Sequence, residues 1–298
     1  MTFTFRRRAL LGAGAAAAYS AALPVLAATQ RAAQGSTTAK MPVLFLGHGS
    51  PLNAISDNQF TRAMQALGRE LPKPRALLVV SAHWLTQGQT LVDTQLKPKT
   101  IHDFGGFPQA LFDVQYPAPG HPELAQSAIA ALSSSSGAKA SQDWGLDHGT
   151  WSVLRLLYPL ADVPTFQVSI DYHKPPRFHF ALGQALAALR TQGVLIIGSG
   201  NVVHNLRATD RSGRETAQAS QPWAAQFDHY VQNALAQSDV EALLRPQLPD
   251  AVVSTAVPTP DHYFPLLYAL GAAGTDAART VHEGFQSGTL SMRSVQFG

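Results

Sequence analysis

The chain has 298 residues, 45% of them hydrophobic and 14% charged, enough apolar material for a sizeable core and too little charge for a disordered polymer. Its 22 basic and 19 acidic residues leave +3, and Arg6, Arg7 and Arg8 account for that whole excess, so the body has no basic stripe for a phosphate backbone and nucleic acid is excluded as an expected partner. Cysteine is absent, which removes disulfides, thiolate nucleophiles, iron–sulfur clusters and zinc-finger ligation together, and leaves His, Asp and Glu to hold any metal.

Residues 1–40 read as an export signal and flexible leader, outside the fold. A basic start runs into a weakly hydrophobic Ala/Gly stretch, with small residues Ala27 and Ala28 where a signal peptidase would cut. Arg7, Arg8, Ala9, Leu10 and Leu11 resemble the twin-arginine signal. Cleavage is expected near Ala27, with delivery to the periplasm by the export machinery. No stable membrane insertion is expected afterwards, because Ala and Gly carry little apolar area and Ser20 and Pro24 interrupt the run. The twin-arginine route carries folded proteins, which suits one loaded with a cofactor before export.

From Met41 short apolar runs alternate with longer amphipathic stretches, the pattern of parallel strands joined by crossover helices. The expected fold over 41–298 is therefore a single α/β domain, a mostly parallel central sheet with helices on both faces and a C-terminal strand pair. Strands are predicted at Val43–Gly47, Ala76–Ala82, Val163–Ile170 and Val194–Gly200. Helices are predicted at Phe60–Leu71, Pro122–Ser134, Trp151–Leu157, Phe178–Gln192, Trp223–Ala236 and Tyr263–Ala272. Ser133–Gly137 reads as a loop, and Arg279–Phe297 as two strands around a Gly-Thr turn.

The residues just beyond each buried strand carry the chemistry, because ligands of open α/β sheets sit outside the carboxyl ends of the strands. The first strand runs into His48, in GHGSP, the second into His83, in SAHW, and the fourth into GSGNVVHN, with His204 beyond Gly200. The third ends in SIDYH and adds Asp171 and His173 to the same edge. A single histidine there is as well explained by structure as by ligation; several converging on one edge point to a site. Gly47 and Gly49 flank His48 and allow close approach, Pro51 stiffens the turn, and Gly198 and Gly200 precede His204. Asn201 and Asn205 offer amides that would orient an imidazole. GSGNVV lacks the third glycine of a dinucleotide fingerprint. Two more histidines lie in polar-aromatic settings: Asp147 beside His148 in WGLDHGTW, and His262 in PDHYFP, with Asp261 read as the N-cap of a helix whose first turn holds His262. His102, His121, His179, His229 and His282 are read as surface or structural residues.

GHGSP, SAHW, IHDFGGFP with YPAPG, GLDHGTW, SGNVVHN and PDHYFP, in that order, resemble the LigB-like class III extradiol ring-cleavage dioxygenases, in the 4,5-DOPA dioxygenase branch. The resemblance runs from about Met41 to the C-terminus and leaves the leader outside. It implies one mononuclear divalent metal, Fe²⁺ for ring cleavage or Zn²⁺ as bound, with His48, His83, His204 and His262 as ligands. It implies His148 as an acid or base, and His204 as an alternative base by comparison with protocatechuate-cleaving relatives. The partners it implies are a small catechol and O₂. Phe104, Phe107, Tyr116 and Trp151 are candidate pocket walls. Two rival functions use the same histidines: a zinc hydrolase with an activated water, and a non-catalytic exported protein that binds metal or catechol.

Overall fold

The structure is a computed structural model that describes residues 1–2, 40–209 and 220–298. The predicted signal and its cleavage site lie outside the described residues. The chain divides into two units, and the second, Thr38–Gly298, holds the sheet and the helices that pack on it.

Four parallel strands form the centre: β1 (Val43–Gly47), β2 (Ala76–Ser81), β6 (Thr165–Gln167) and β8 (Val194–Gly200). Two antiparallel strands, β9 (Ala278–His282) and β12 (Ser294–Phe297), extend the sheet beyond β1, giving the order β6-β2-β8-β1-β12-β9. Smaller pairs join β3 (Leu85–Thr86) to β7 (Ile170–Asp171), β4 (Leu91–Asp93) to β5 (Lys139–Ser141), and β10 (Phe285–Gln286) to β11 (Leu290–Ser291).

Residues of β1, β2 and β8 are buried throughout because helices cover both sheet faces. Alternation divides them. Val43, Phe45, Leu78, Val80 and Ile196 pack against helices α2 (Pro122–Ser136), α4 (Pro176–Leu186), α5 (Pro222–Ala236) and α6 (Phe264–Ala273). Leu44, Leu46, Leu77, Val79 and Ile197 pack against α1 (Gln59–Glu70) and α3 (His148–Leu157). All ten residues of α6 are buried, so it is apolar all round rather than amphipathic. Behind the β10–β11 hairpin, Arg293 forms a two-pronged ion pair with Asp228 of α5, Nε to Oδ1 at 3.0 Å and Nη2 to Oδ2 at 2.6 Å, and Ser291 Oγ adds a 2.6 Å bond to the same carboxylate. Both partners are buried.

Several local expectations change. The predicted Val163–Ile170 strand splits: after β6 the chain keeps one bond to the sheet, Val168 N–H to Val79 O, then crosses to Leu91 and Trp84 and forms β7. Ser133–Gly137 is not a loop. The serines extend α2, with Ser133 and Ser136 hydroxyls bonding back to the carbonyls four residues earlier, and left-handed Gly137 ends it. The Phe178–Gln192 stretch breaks into α4 and a 3₁₀ turn, Ala187–Gln192. The tail makes a hairpin, β10–β11, inside a wider antiparallel pair, β9–β12. Among the described residues no helix is long and apolar enough to cross a membrane.

Candidate metal centre

The site grows out of the carboxyl ends of three neighbouring strands. Beyond β1, the His48 N–H donates to Gly200 O at 3.0 Å, which fixes it beside the end of β8. Beyond β2, Ala82 N–H bonds Ser199 O, and the turn then presents His83. Asp147 caps α3, accepting from Thr150 N–H at 3.1 Å, and its Oδ1 also takes the Ser81 hydroxyl proton at 2.6 Å. That bond pins the start of α3 under the end of β2, so His148, the first helical residue, meets His83 with ring centroids 3.9 Å apart. Gly149 permits this approach: a Cβ there would lie 2.6 Å from Ser81 Oγ and 2.8 Å from His83 Cδ2. Burial, with the charge of Asp103, raises the Asp147 carboxyl above its ordinary value.

The helix Trp151–Leu157 thus starts three residues earlier than expected, and the WGLDHGTW loop contains a helix start. The opposite holds at His262. Helix α6 begins at Phe264, its N-cap is Tyr263 with no side-chain bond, and His262 lies ahead of it. Asp261 is not a cap, because its carboxylate is engaged by His262 Nδ1. Burial alone would raise that carboxyl, but the His262 hydrogen bond and charge hold it down at about 2. The turn is anchored by Asn201 N–H to His262 O at 2.9 Å, and Gly200 packs directly on the same carbonyl.

Hydrogen bonding fixes the tautomers. Ser199 Oγ donates to Gly149 O at 2.5 Å and therefore accepts from His48 Nδ1–H at 3.1 Å. Asp103 Oδ2 accepts from His148 Nδ1 at 2.9 Å and lies 3.3 Å from His83 Nδ1. With Nδ1 engaged by Ser199 in His48, by Asp103 in His148 and by Asp261 in His262, and Asp103 Oδ2 3.3 Å from Nδ1 of His83, Nε2 is the nitrogen each of the four rings has left for a ligand. His48 Nε2 and His83 Nε2 face each other at 3.3 Å, an arrangement that repels unless a cation is shared. Burial, then the neighbouring histidines, lower His48 and His83 well below the usual imidazole range, so both stay neutral, as ligation requires. The donor set fits a divalent metal.

Single ligand atoms of His48, His83 and His148 lie within 4.8 Å of one another. The His262 ring is 5.2 Å from that of His48 and 5.1 Å from that of His83. His204 stacks on His262, centroids 3.4 Å apart and nearly parallel, and burial followed by the adjacent His262 lowers it to about 3. Five of the six histidines singled out by sequence, His48, His83, His148, His204 and His262, therefore gather at one edge of the sheet.

Other candidates do not join them. Asp171 lies in β7, bonded to Gly88 N–H, and His173 packs on Tyr172; the break after β6 carries both away. The side chains of Asn201 and Asn205 bond the Ser291 and Thr255 carbonyls, bracing backbone rather than imidazoles. Gly47 is required by the tail, since a Cβ would lie 2.8 Å from Met292 C. Tyr116 and Trp151 are fully buried, bonded to Tyr158 O and Ile101 O, and belong to the core; Phe104 is half-buried and meets the His148 ring edge-on at 5.5 Å. Asp103, which hydrogen-bonds to His148 and lies against His83, is the site contact that sequence reasoning missed. It sits inside IHDFGGFP, and no spacing rule links it to His83 or His148.

Residues 42–298 match the family described as the catalytic LigB subunit of aromatic ring-opening dioxygenase, and the chain belongs to it. Fold, histidine cluster and family together define a metal-dependent extradiol dioxygenase. Among its relatives, 4,5-DOPA dioxygenase extradiol of Escherichia coli K12 is 49% identical over 265 residues, covering 88% of this chain and 96% of the relative. The Beta vulgaris protein of the same name is 40% identical over 260 residues, covering 85% and 95%. A solved structure, an uncharacterized protein from Escherichia coli K12, superposes with a TM-score of 0.74 at 42% identity, covering 87% of this chain and all of that one.

Proposed function

We propose that the protein opens the ring of a small catechol, DOPA or a close analogue, next to the two hydroxyls and at the expense of O₂. The observation that carries this reading is the cluster of imidazoles at one sheet edge, with His48 and His83 held neutral and their Nε2 atoms facing each other at 3.3 Å. His48, His83 and His262 would hold a single divalent ion, with His204 as fourth ligand, and His148 would remain the acid–base group. The ion, Fe²⁺ for turnover or Zn²⁺ as a resting occupant, supplies a Lewis-acidic, redox-active centre through which catecholate electrons reach O₂. His204, if it leaves the ion, or His148 accepts the first catechol proton at Nε2. His148 is held for this by Asp103 at Nδ1 and returns the proton as the ring opens, so both atoms of O₂ end in a muconic semialdehyde. Phe104 and Phe107 line the approach and exclude water.

The test is anaerobic reconstitution with Fe²⁺, followed by air and a catechol panel that includes DOPA. A yellow product formed with O₂ consumption is expected. Colourless ester or amide turnover with Zn²⁺, or stoichiometric binding without turnover, would replace this reading with one of its rivals. We also propose that residues 1–40 direct export to the periplasm with cleavage near Ala27, supported by Arg7 and Arg8 ahead of the Ala/Gly stretch. Replacing both arginines by lysine should retain the uncleaved protein in the cytoplasm; a periplasmic, processed double variant would refute the route.

A further inference from the structure

Among the described residues, Asp103 is the one carboxylate within 4 Å of two of the clustered histidines. Its Oδ2 lies 2.9 Å from His148 Nδ1 and 3.3 Å from His83 Nδ1, and its Oδ1 accepts the His148 backbone N–H at 2.8 Å. We propose that Asp103 is a positioning residue that fixes the tautomer and ring orientation of a metal ligand, His83, and of the acid–base group, His148, through a single oxygen. Loading the ion and poising the proton acceptor then become one event rather than two. The inference rests on the metal site proposed for the clustered histidines.

The geometry explains why an acid is needed. Two donors hydrogen-bond to Asp103, the ring and the backbone N–H of His148, while His83 Nδ1 stands 3.3 Å from the same Oδ2, and only an ionised carboxylate accepts at both oxygens. An amide of the same shape fails whichever way it is turned. With its NH₂ toward the rings, it forces their protons onto Nε2, which blocks ligation and removes the base. With its NH₂ toward the helix, it opposes the His148 N–H.

Zinc affinity measured by chelator competition tests this independently of turnover. Asp103→Asn should weaken zinc binding at least about 10-fold and be no milder than Asp103→Ala, although Asn preserves the packing. With Fe²⁺ saturating, kcat should fall in both variants while the KM for DOPA changes little. A merely space-filling Asp103 predicts the reverse order, with Asn close to wild type and Ala worse, and that result would overturn the inference. His48→Ala separates the two levels. If it abolishes zinc binding while Asp103→Asn binds as wild type, only the role of Asp103 is lost. If His48→Ala keeps stoichiometric zinc, the metal-site reading falls and this inference falls with it.

Discussion

Gly200, the last residue of β8, packs directly on the backbone carbonyl of His262. A Cβ at this position would sit 2.2 Å from His262 O, 3.1 Å from its carbonyl carbon and 3.1 Å from Pro265 Cγ. Ordinary contact requires more than 3 Å, so Gly200→Ala must push the His262 turn and β8 apart by about 1 Å. The obstacle is backbone on both sides, because Asn201 N–H bonds the same carbonyl and Pro265 lies in the first turn of the fully buried α6. Overpacking of this kind costs about 1–3 kcal/mol of stability. A displacement of about 1 Å at a reacting group costs on the order of 10²-fold in rate, so activity should fall further than stability explains. Urea denaturation and steady-state turnover on the same preparations give both numbers. Gly105→Ala is the control, since a Cβ there meets nothing within 4 Å. If Gly200→Ala unfolds at the wild-type urea midpoint with wild-type kcat, the claim that this backbone contact sets the His262 position is refuted.

His83→Ala and His262→Ala should abolish retention of the ion, whereas His148→Ala should keep it and lose about 10²–10⁴-fold in kcat; metal analysis with turnover decides, and equal metal loss in all three would make His148 a ligand. His179 is buried against Phe264, with Tyr268 OH and Lys174 O at its ring nitrogens, and burial lowers it from 6.5 to about 4. Its neutral form is the one bound in the fold, so its contribution is complete above pH 6.5 and lost as pH falls through about 4. The difference in unfolding free energy between wild type and His179→Gln should therefore shrink by about 3 kcal/mol across that window, and a constant difference would contradict the assignment. At the buried Arg293–Asp228 pair, Arg293→Ala should cost about 3–5 kcal/mol by stranding Asp228, whereas Arg293→Met combined with Asp228→Leu should recover most of it in chemical denaturation; equal losses would show that packing rather than the lone charge sets the cost.

The sheet was legible because its central strands are buried on both faces and appear as continuous apolar runs. His48, His83 and His204 were legible because they follow the ends of β1, β2 and β8 by one, two and four residues. What sequence could not convey is how the chain behaves where two partners compete for it. Val163–Ile170 looks like one strand, yet Ser169 and Ile170 find their hydrogen-bond acceptors at Leu91 and Trp84, off the sheet. Asp261 has the chemistry of a cap but is captured by the adjacent imidazole, and Asp147, read as part of a loop, is the residue that caps. Asp103 acts across 45 positions in the chain, a distance no local rule spans. Tyr116 and Trp151 look like pocket walls by residue type alone, and only packing shows them behind Phe104 rather than in front of it.

The strand that bears His48 has neighbours drawn from far along the polypeptide: Phe45 lies opposite Gly198 on one side and Val295 on the other. During synthesis β1 therefore waits roughly 150 residues for β8 to pair one edge and roughly 250 for β12 to pair the other. Until β12 arrives, that edge of the strand carrying His48 has no partner in the main sheet, so the frame behind the histidine cluster closes only late in synthesis.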